Sequence, residues 1–274
     1  LAGHHADLAA PRTFGLDPKT GRAFHFPSTL SGGGWGALHD RDGQNATFCI
    51  NDGDTHNTPV EAGEGKGPIF IASRKLREDS GGAGKFRGGL GVAQEVRMLA
   101  PGSVLSAMER TQCAPWGLHG GRDALANRFS IVRKDGSMQR LPTGKTIGHV
   151  TLDIEDGFLV EVGGGGGFGS PLEREPERVL ADVRTGYVSL EAARRDYGVV
   201  IHQNGRQFGL DVAATVKLRQ SGWQGLRSDG SSLSSSYPSA FAPSSPRKCG
   251  GERILETCDR WTMQNDLPLA GGAK

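Results

Sequence analysis

Between Phe24 and Val162 the apolar residues come in short runs broken by glycine-rich turns, the pattern of strands rather than of amphipathic helices. Candidate strands are Asn45–Ile50, closed by the turn Asp52-Gly53-Asp54, then Val104–Met108, Arg128–Arg133, His149–Ile154 and Phe158–Val162. Pro68–Leu76 and Val92–Leu99 read as a pair around the long glycine-rich link Asp79–Gly91. Lys134-Asp135-Gly136-Ser137 sits between two apolar runs and predicts a hairpin turn.

The pattern changes after Ser170. Pro176 suits the first turn of a helix and Gly186 its C-terminal stop. Ser189 predicts the N-cap of a second helix, which Gly198 ends. The expected fold class is therefore α+β: a β-rich domain with glycine-rich turns and a short helical pair near its end. Residues 1–202 form that region, and 203–220 hold a short element, with Val212–Leu218 its core. Nine serines between Ser228 and Ser245, with Pro238, Pro243 and Pro246, leave little apolar surface to offset ordering entropy. Residues 221–274 are expected to be a disordered tail.

Composition narrows the function. The chain of 274 residues carries 32 basic and 30 acidic residues for a net charge of +2, without a long basic run, so nucleic-acid binding has no electrostatic footprint. It lacks an apolar stretch of about 18 residues, so no membrane span is expected. The opening Leu1–Pro18 lacks the basic and apolar regions of a secretory signal. Cys49, Cys113, Cys249 and Cys258 lie far apart and read as reduced thiols of a cytoplasmic protein.

Three motifs imitate known chemistry. Gly164, Gly166 and Gly169 satisfy G-x-G-x-x-G, but the first helix leads into a second helix instead of the parallel strand that a dinucleotide site requires. The other reading of these glycines is backbone passing close to backbone, where no Cβ fits. Asp79-Ser80-Gly81-Gly82 imitates a serine-protease nucleophile without a base, and fits a turn. Gly144-Lys145-Thr146 ends like a phosphate loop, yet Gln139 stands where its first glycine belongs.

Six blocks recur in a shared order: Asp17–Arg22, Ser31–Ala37, Asn57–Glu61, Arg77–Gly89, Ala114–Gly121, and the glycine run Gly163–Gly167 with its two helices. In this order the chain, over about residues 12–201, resembles the C-terminal portion of the hydantoinase B/oxoprolinase family. The resemblance implies a subunit, truncated relative to typical members, of an ATP-dependent hydrolase opening cyclic amides such as hydantoins, 5-oxoproline or lactams. ATP would be bound by a hydantoinase A-type partner, which phosphorylates the inert amide oxygen. The alternatives are an ATP-dependent ketone carboxylase subunit and a non-catalytic truncated remnant that serves as a scaffold. An out-of-frame tail would fit the last of these.

The resemblance also directs attention to His4-His5-Ala6-Asp7, similar to the family's H-H-x-D metal block, and so to a divalent metal held by His4, His5 and Asp7. His39-Asp40-Arg41-Asp42 has H-x-x-D spacing in an unrelated context. Glu61 and Asn57, in a loop crowded by Asp52, Asp54 and His56, are candidates for orienting water or a substrate amide. His119 is a further catalytic candidate, and Trp116 a ring-binding surface. Arg110 and Arg87 are candidates for meeting a phosphorylated intermediate.

Overall fold

The computed structural model describes residues 1–5, 11–27, 32–48 and 59–221. Two antiparallel sheets carry the body. One has the order β2-β1-β5-β8, built from β1 (Arg12–Leu16), β2 (Ala23–Pro27), β5 (Gly102–Leu105) and β8 (Val150–Leu152). The other has the order β3-β4-β9-β6-β7, from β3 (Ile69–Leu76), β4 (Val92–Met98), β6 (Arg128–Val132), β7 (Met138–Leu141) and β9 (Gly157–Glu161). Alternation fixes which face is buried. Phe24, Phe26, Val104 and Leu152 from the first sheet meet Ile69, Ile71, Val96, Phe129, Ile131, Phe158 and Val160 from the second in one apolar core.

The expected pair at 68–76 and 92–99 forms, with Ile69 opposite Met98 and Leu76 opposite Val92. The expected hairpin at Lys134–Ser137 joins β6 and β7. Asn45–Ile50 does not form a strand where it is described: Thr47 makes only an isolated bridge to Gly33, because the chain there runs into the glycine bundle rather than beside a sheet. Residues 49–58 lie outside the described residues, as does the tail from 222.

The helical pair also forms. Helix α2 (Pro176–Arg184), after the short helix α1 (Val60–Glu64), has Pro176 at its first position, and Gly186 follows it with φ +72°. Helix α3 (Leu190–Tyr197) is capped by Ser189, whose hydroxyl accepts the Ala192 amide, and ends at Gly198 with φ 62°. Strands β10 (Ile201–Asn204) and β11 (Gln207–Leu210) make a hairpin, and α4 (Val212–Gln220) follows. Ile201, Phe208 and Leu210 pack with the buried faces of α2 and α3 in a second core. No helix among the described residues is long and apolar enough to cross a membrane.

Cys113 is disulfide-bonded, which corrects the expectation of four reduced thiols. The other three cysteines lie outside the described residues. Spacing rules read pairs close in sequence, whereas a disulfide needs only proximity in space.

The glycine run Gly163–Gly167 leaves β9 and threads among other backbone segments. A Cβ on Gly164 would strike the backbone of Ser80 and Gly81; on Gly165, Trp35 and Gly36; on Gly166, Trp116 and Gly117; on Gly167, Gly82 and Ala83. The first and fourth of these positions meet the same segment, a three-residue period like that of extended three-fold helices whose axis admits only glycine. Hydrogen bonds run outward from the run. Gly165 donates to Gly89 at 2.9 Å and accepts from Gly82 at 2.8 Å, and Gly166 donates to Gly3 at 2.7 Å and accepts from Ala37 at 2.9 Å. Gly167 donates to Arg122 and accepts from Leu118, both at 2.9 Å. The glycines are thus a backbone-packed core and not a cofactor loop.

A buried charge network ties this bundle to the helices. Arg174, 2% exposed, bonds both carboxylate oxygens of Asp42, at 2.7 and 2.9 Å, and reaches Asp182 at 2.7 Å. Burial alone would raise the Asp42 pKa, but the Arg174 hydrogen bonds and charge, joined by the Arg87 amide, hold it below the usual carboxylate range.

Candidate functional site

The first five residues lie along the glycine bundle as an added strand-like segment. Ala2 donates to Ala37, Gly3 donates to Trp116 and accepts from Gly166, and His5 donates to Gly34. This places His4 and His5 beside Trp35 and Trp116. The His4 ring lies 5.7 Å from that of Trp35, tilted by 40°. The His5 ring occupies the space that a Cβ on Gly33 would fill, and is 1% exposed.

Two electrostatic features follow. Burial, then the neighbouring His4 and the Arg110 charge, pull the His5 pKa down to about 3. His4 is lowered by burial and then by Arg110. His5 is therefore a neutral imidazole at pH 7, and among the described residues its Nε2 is buried without a hydrogen-bond partner. A buried polar atom left unsatisfied is costly, so His5 is a candidate for a ligand contact. The neutral form is also the form that binds metal.

Arg110 lies with its guanidinium carbon 5.4 Å from the centre of the Trp116 ring, and that indole is half exposed. The structure thus brings together His4 and His5, the metal candidates, with Arg110 and Trp116, the substrate candidates. Asp7 and Asn57 lie outside the described residues. Among the described residues no group of three or more His, Cys, Asp or Glu is arranged to hold a metal.

The remaining candidates stand apart. Glu61 is not in a loop but in the first turn of α1, and it is exposed. Among the described residues its side chain makes no hydrogen bond or ion pair with Trp116, Arg110 or His119. His119 has φ 51° and its ring rests on Phe168 at 4.8 Å. Arg87 is buried, 3.5 Å from Asp182 and 5.1 Å over the Tyr187 ring, so it serves the charge network.

The imitated motifs resolve into structure. The Ser80 hydroxyl is fully buried, donating to Arg77 at 2.6 Å and accepting the Gly91 amide at 3.0 Å. Gly144 turns with φ 64°, and Lys145 pairs with Glu109 at 3.1 Å. Two residues at the site are not marked by sequence. Trp35 has no signal of its own within Ser31–Ala37. Asn127, 1% exposed, gives no local signal either, because its partners lie far away in the chain.

A β-rich body, a core of backbone-packed glycine and a histidine pair beside that core define an α+β chain of unusual interior. Over residues 1–171 the chain matches the Hydantoinase B/oxoprolinase family, and it belongs to that family. A Pseudomonas sp. protein provisionally named as the B-type component of a D-/L-hydantoinase is 33% identical, over 69% of this chain and 31% of its own length. The beta component of the Pseudomonas jessenii caprolactamase is 36% identical, over 54% of this chain and 25% of its own length. The crystal structure of that organism's ATP-dependent caprolactamase superposes with a TM-score of 0.64 at 28% identity, covering 80% of this chain and 38% of the other. A nucleotide-free acetone carboxylase structure shares the fold, with a TM-score of 0.70 at 24% identity over 79% of this chain and 32% of the other. The chain spans about a third or less of the curated relatives it matches.

Proposed function

We propose that this chain is part of a B-type subunit of an ATP-dependent hydrolase that opens a cyclic amide, with ATP bound by a hydantoinase A-type partner. A resonance-stabilised amide resists water, and phosphorylation of its oxygen creates a leaving group and an electrophilic carbon. The observation that carries the reading is the buried, neutral His5 with a free Nε2, next to an exposed indole and an arginine.

His4 and His5, with Asp7, would hold a divalent metal, and such a metal when bound supplies a Lewis acid and lowers the pKa of water. His5 fits that role through its unsatisfied nitrogen. The exposed part of the Trp116 indole, beside Arg110, receives the ring of the substrate, and the Gly3–Trp116 backbone hydrogen bond ties that segment to the histidine pair. Glu61 and His119 make no hydrogen bond or ion pair with this cluster among the described residues, so proton transfer is assigned to neither.

Ketone carboxylation is the second reading, favoured by the shared fold with acetone carboxylase. One experiment addresses both: co-expression with a hydantoinase A-type partner, then ATP hydrolysis coupled to opening of hydantoin, 5-oxoproline and a lactam, with and without divalent metal. Metal-dependent ring opening only when both chains are present is expected. A stable complex without turnover overturns the hydrolase reading, and label from bicarbonate in a ketone product replaces it with carboxylation.

A further inference from the structure

Arg110 sits at φ 50°, in the left-handed region that a residue with a Cβ rarely adopts. Strain of this kind persists only where the surroundings hold it, and it gathers at functional sites. Asn127 does the holding. Its backbone N–H donates to the Arg110 carbonyl at 3.0 Å and its side-chain Nδ2 donates to the Glu109 carbonyl at 2.8 Å. Its Oδ1 accepts the Gly163 amide at 2.6 Å. One buried side chain thereby fastens the 109–110 turn to the first glycine of the core.

This turn carries, among the described residues, a cation without an anion. Among the described residues the Arg110 guanidinium makes no hydrogen bond and no ion pair, and its contact is the face of Trp116. The adjacent carboxylate, Glu109, is turned to Lys145. Other arginines that pack on rings behave differently: Arg87 has Asp182 and Arg178 has Asp42. Stacking on an indole leaves the planar edge of a guanidinium open to a bidentate oxyanion. Among the described residues the Nε2 of His5, on the segment that hydrogen-bonds Trp116, is likewise buried without a partner.

We infer that Arg110 is the receptor for the phosphoryl group of an activated substrate lying on Trp116, and that Asn127 is the positioning residue that sets it. The inference rests on the reading of this chain as part of an ATP-dependent enzyme, and its ligand chemistry is that of a phosphate monoester. Asn127 acts through the turn and does not touch the ligand.

The test has two arms. In the first, the full chain alone is titrated with phenyl phosphate and with inorganic phosphate, binding being followed by calorimetry. The wild type is expected to bind phenyl phosphate saturably and more tightly than inorganic phosphate. Arg110→Gly keeps the left-handed backbone without strain and removes the guanidinium, and it is expected to abolish saturable binding. Asn127→Asp keeps the acceptor for Gly163 but opposes one oxygen to the Glu109 carbonyl, and it should weaken binding about ten-fold, the loss of one charge-assisted bond. Asn127→Ser, which keeps an acceptor and admits water, is used where Asn127→Asp does not fold.

In the second arm the partner complex is assayed for phosphate released per ring opened. Arg110→Gly and the Asn127 variant should raise that ratio, because an unretained intermediate is lost to water. A purely structural defect lowers both quantities together. Wild-type affinity in Arg110→Gly, or no saturable binding by the wild type, overturns the receptor. Wild-type affinity in a folded Asn127 variant overturns its positioning role. A wild-type complex that opens no ring defeats the hydrolase reading instead, and leaves the binding arm standing.

Discussion

The two-sheet body fills its interior with side chains, whereas the glycine bundle beside it has almost none and closes on backbone hydrogen bonds. In the body, Phe129 and Phe158 are fully buried with ring centres 5.6 Å apart, and neighbours from both sheets surround them. In the bundle, the segments around Gly163–Gly167 approach until carbonyl and amide occupy the space that a Cβ would take. The first arrangement tolerates a change of hydrophobe provided volume is kept. The second tolerates no side chain at all. That rigidity suits the place where His4, His5, Trp35 and Trp116 attach, because their backbone neighbours cannot shift independently.

The most damaging way to probe this contrast is Gly165→Ala. The new methyl group would land on the Trp35 carbonyl and the Gly36 amide, both backbone atoms with no flexible end to yield. We expect a loss above about 4 kcal/mol, beyond ordinary overpacking and in the range where a specific clash is diagnostic. Urea unfolding checks it. A loss below about 1 kcal/mol would show that the bundle can open, and the rigidity argument would fail with it.

The matching change in the body is Phe158→Ala, which removes a side chain instead of adding one. About 3–5 kcal/mol should be lost, as for other buried aromatics. Phe158→Leu should recover most of that, since it keeps much of the volume. No bundle glycine has such a conservative rescue.

The charge network joining bundle and helices should show an acid limb. Asp42 has its pKa lowered in the folded chain, so the stability it contributes is present above the ordinary carboxylate value of about 3.9 and is lost as pH falls through the lower folded value. Below about pH 4 the wild type should lose stability more steeply than Asp42→Asn. At pH 7 the variant should be weaker by about 2 kcal/mol, a buried-pair loss reduced because Arg174 keeps Asp182 and Asp42 is partly exposed. Chemical unfolding from pH 3 to pH 7 gives both quantities. Parallel curves would remove Asp42 as the source of the acid limb.

How much of this was legible in sequence divides along the same line as the two regions. Side-chain patterning announced β3 with β4, the hairpin between β6 and β7, and the start of α3 at Ser189 and its stop at Gly198. It missed β1, where Gly15 breaks the alternation, and it placed a strand at Asn45–Ile50 where the chain enters the bundle. The glycine run declared that backbone would pass close to backbone, but not which backbone, since glycine carries no chemistry to name its neighbour. For the same reason His4 and His5 were legible only as a motif, and Arg110 and Trp116 as separate candidates. Their meeting depends on the bundle that aligns residues 1–5 with Trp116. Asn127 was illegible because its hydrogen-bonding partners at 109, 110 and 163 are joined only by the fold.

The smallest expected effect is the control that gives the largest its meaning. Gly209 lies in β11, where an added Cβ would meet nothing within 4 Å and the backbone does not occupy the left-handed region. Gly209→Ala makes the same chemical change as Gly165→Ala, with the same reduction of unfolded-state freedom, in open space. We expect it to be neutral or stabilising by up to about 1 kcal/mol, because the alanine has fewer unfolded conformations to lose. Paired unfolding curves for the two variants then cancel the unfolded-state contribution and leave the cost of close approach alone. A loss at Gly209 comparable to that at Gly165 would mean that the penalty belongs to glycine replacement in general, and the bundle would lose its claim to a packing unlike that of the sheets.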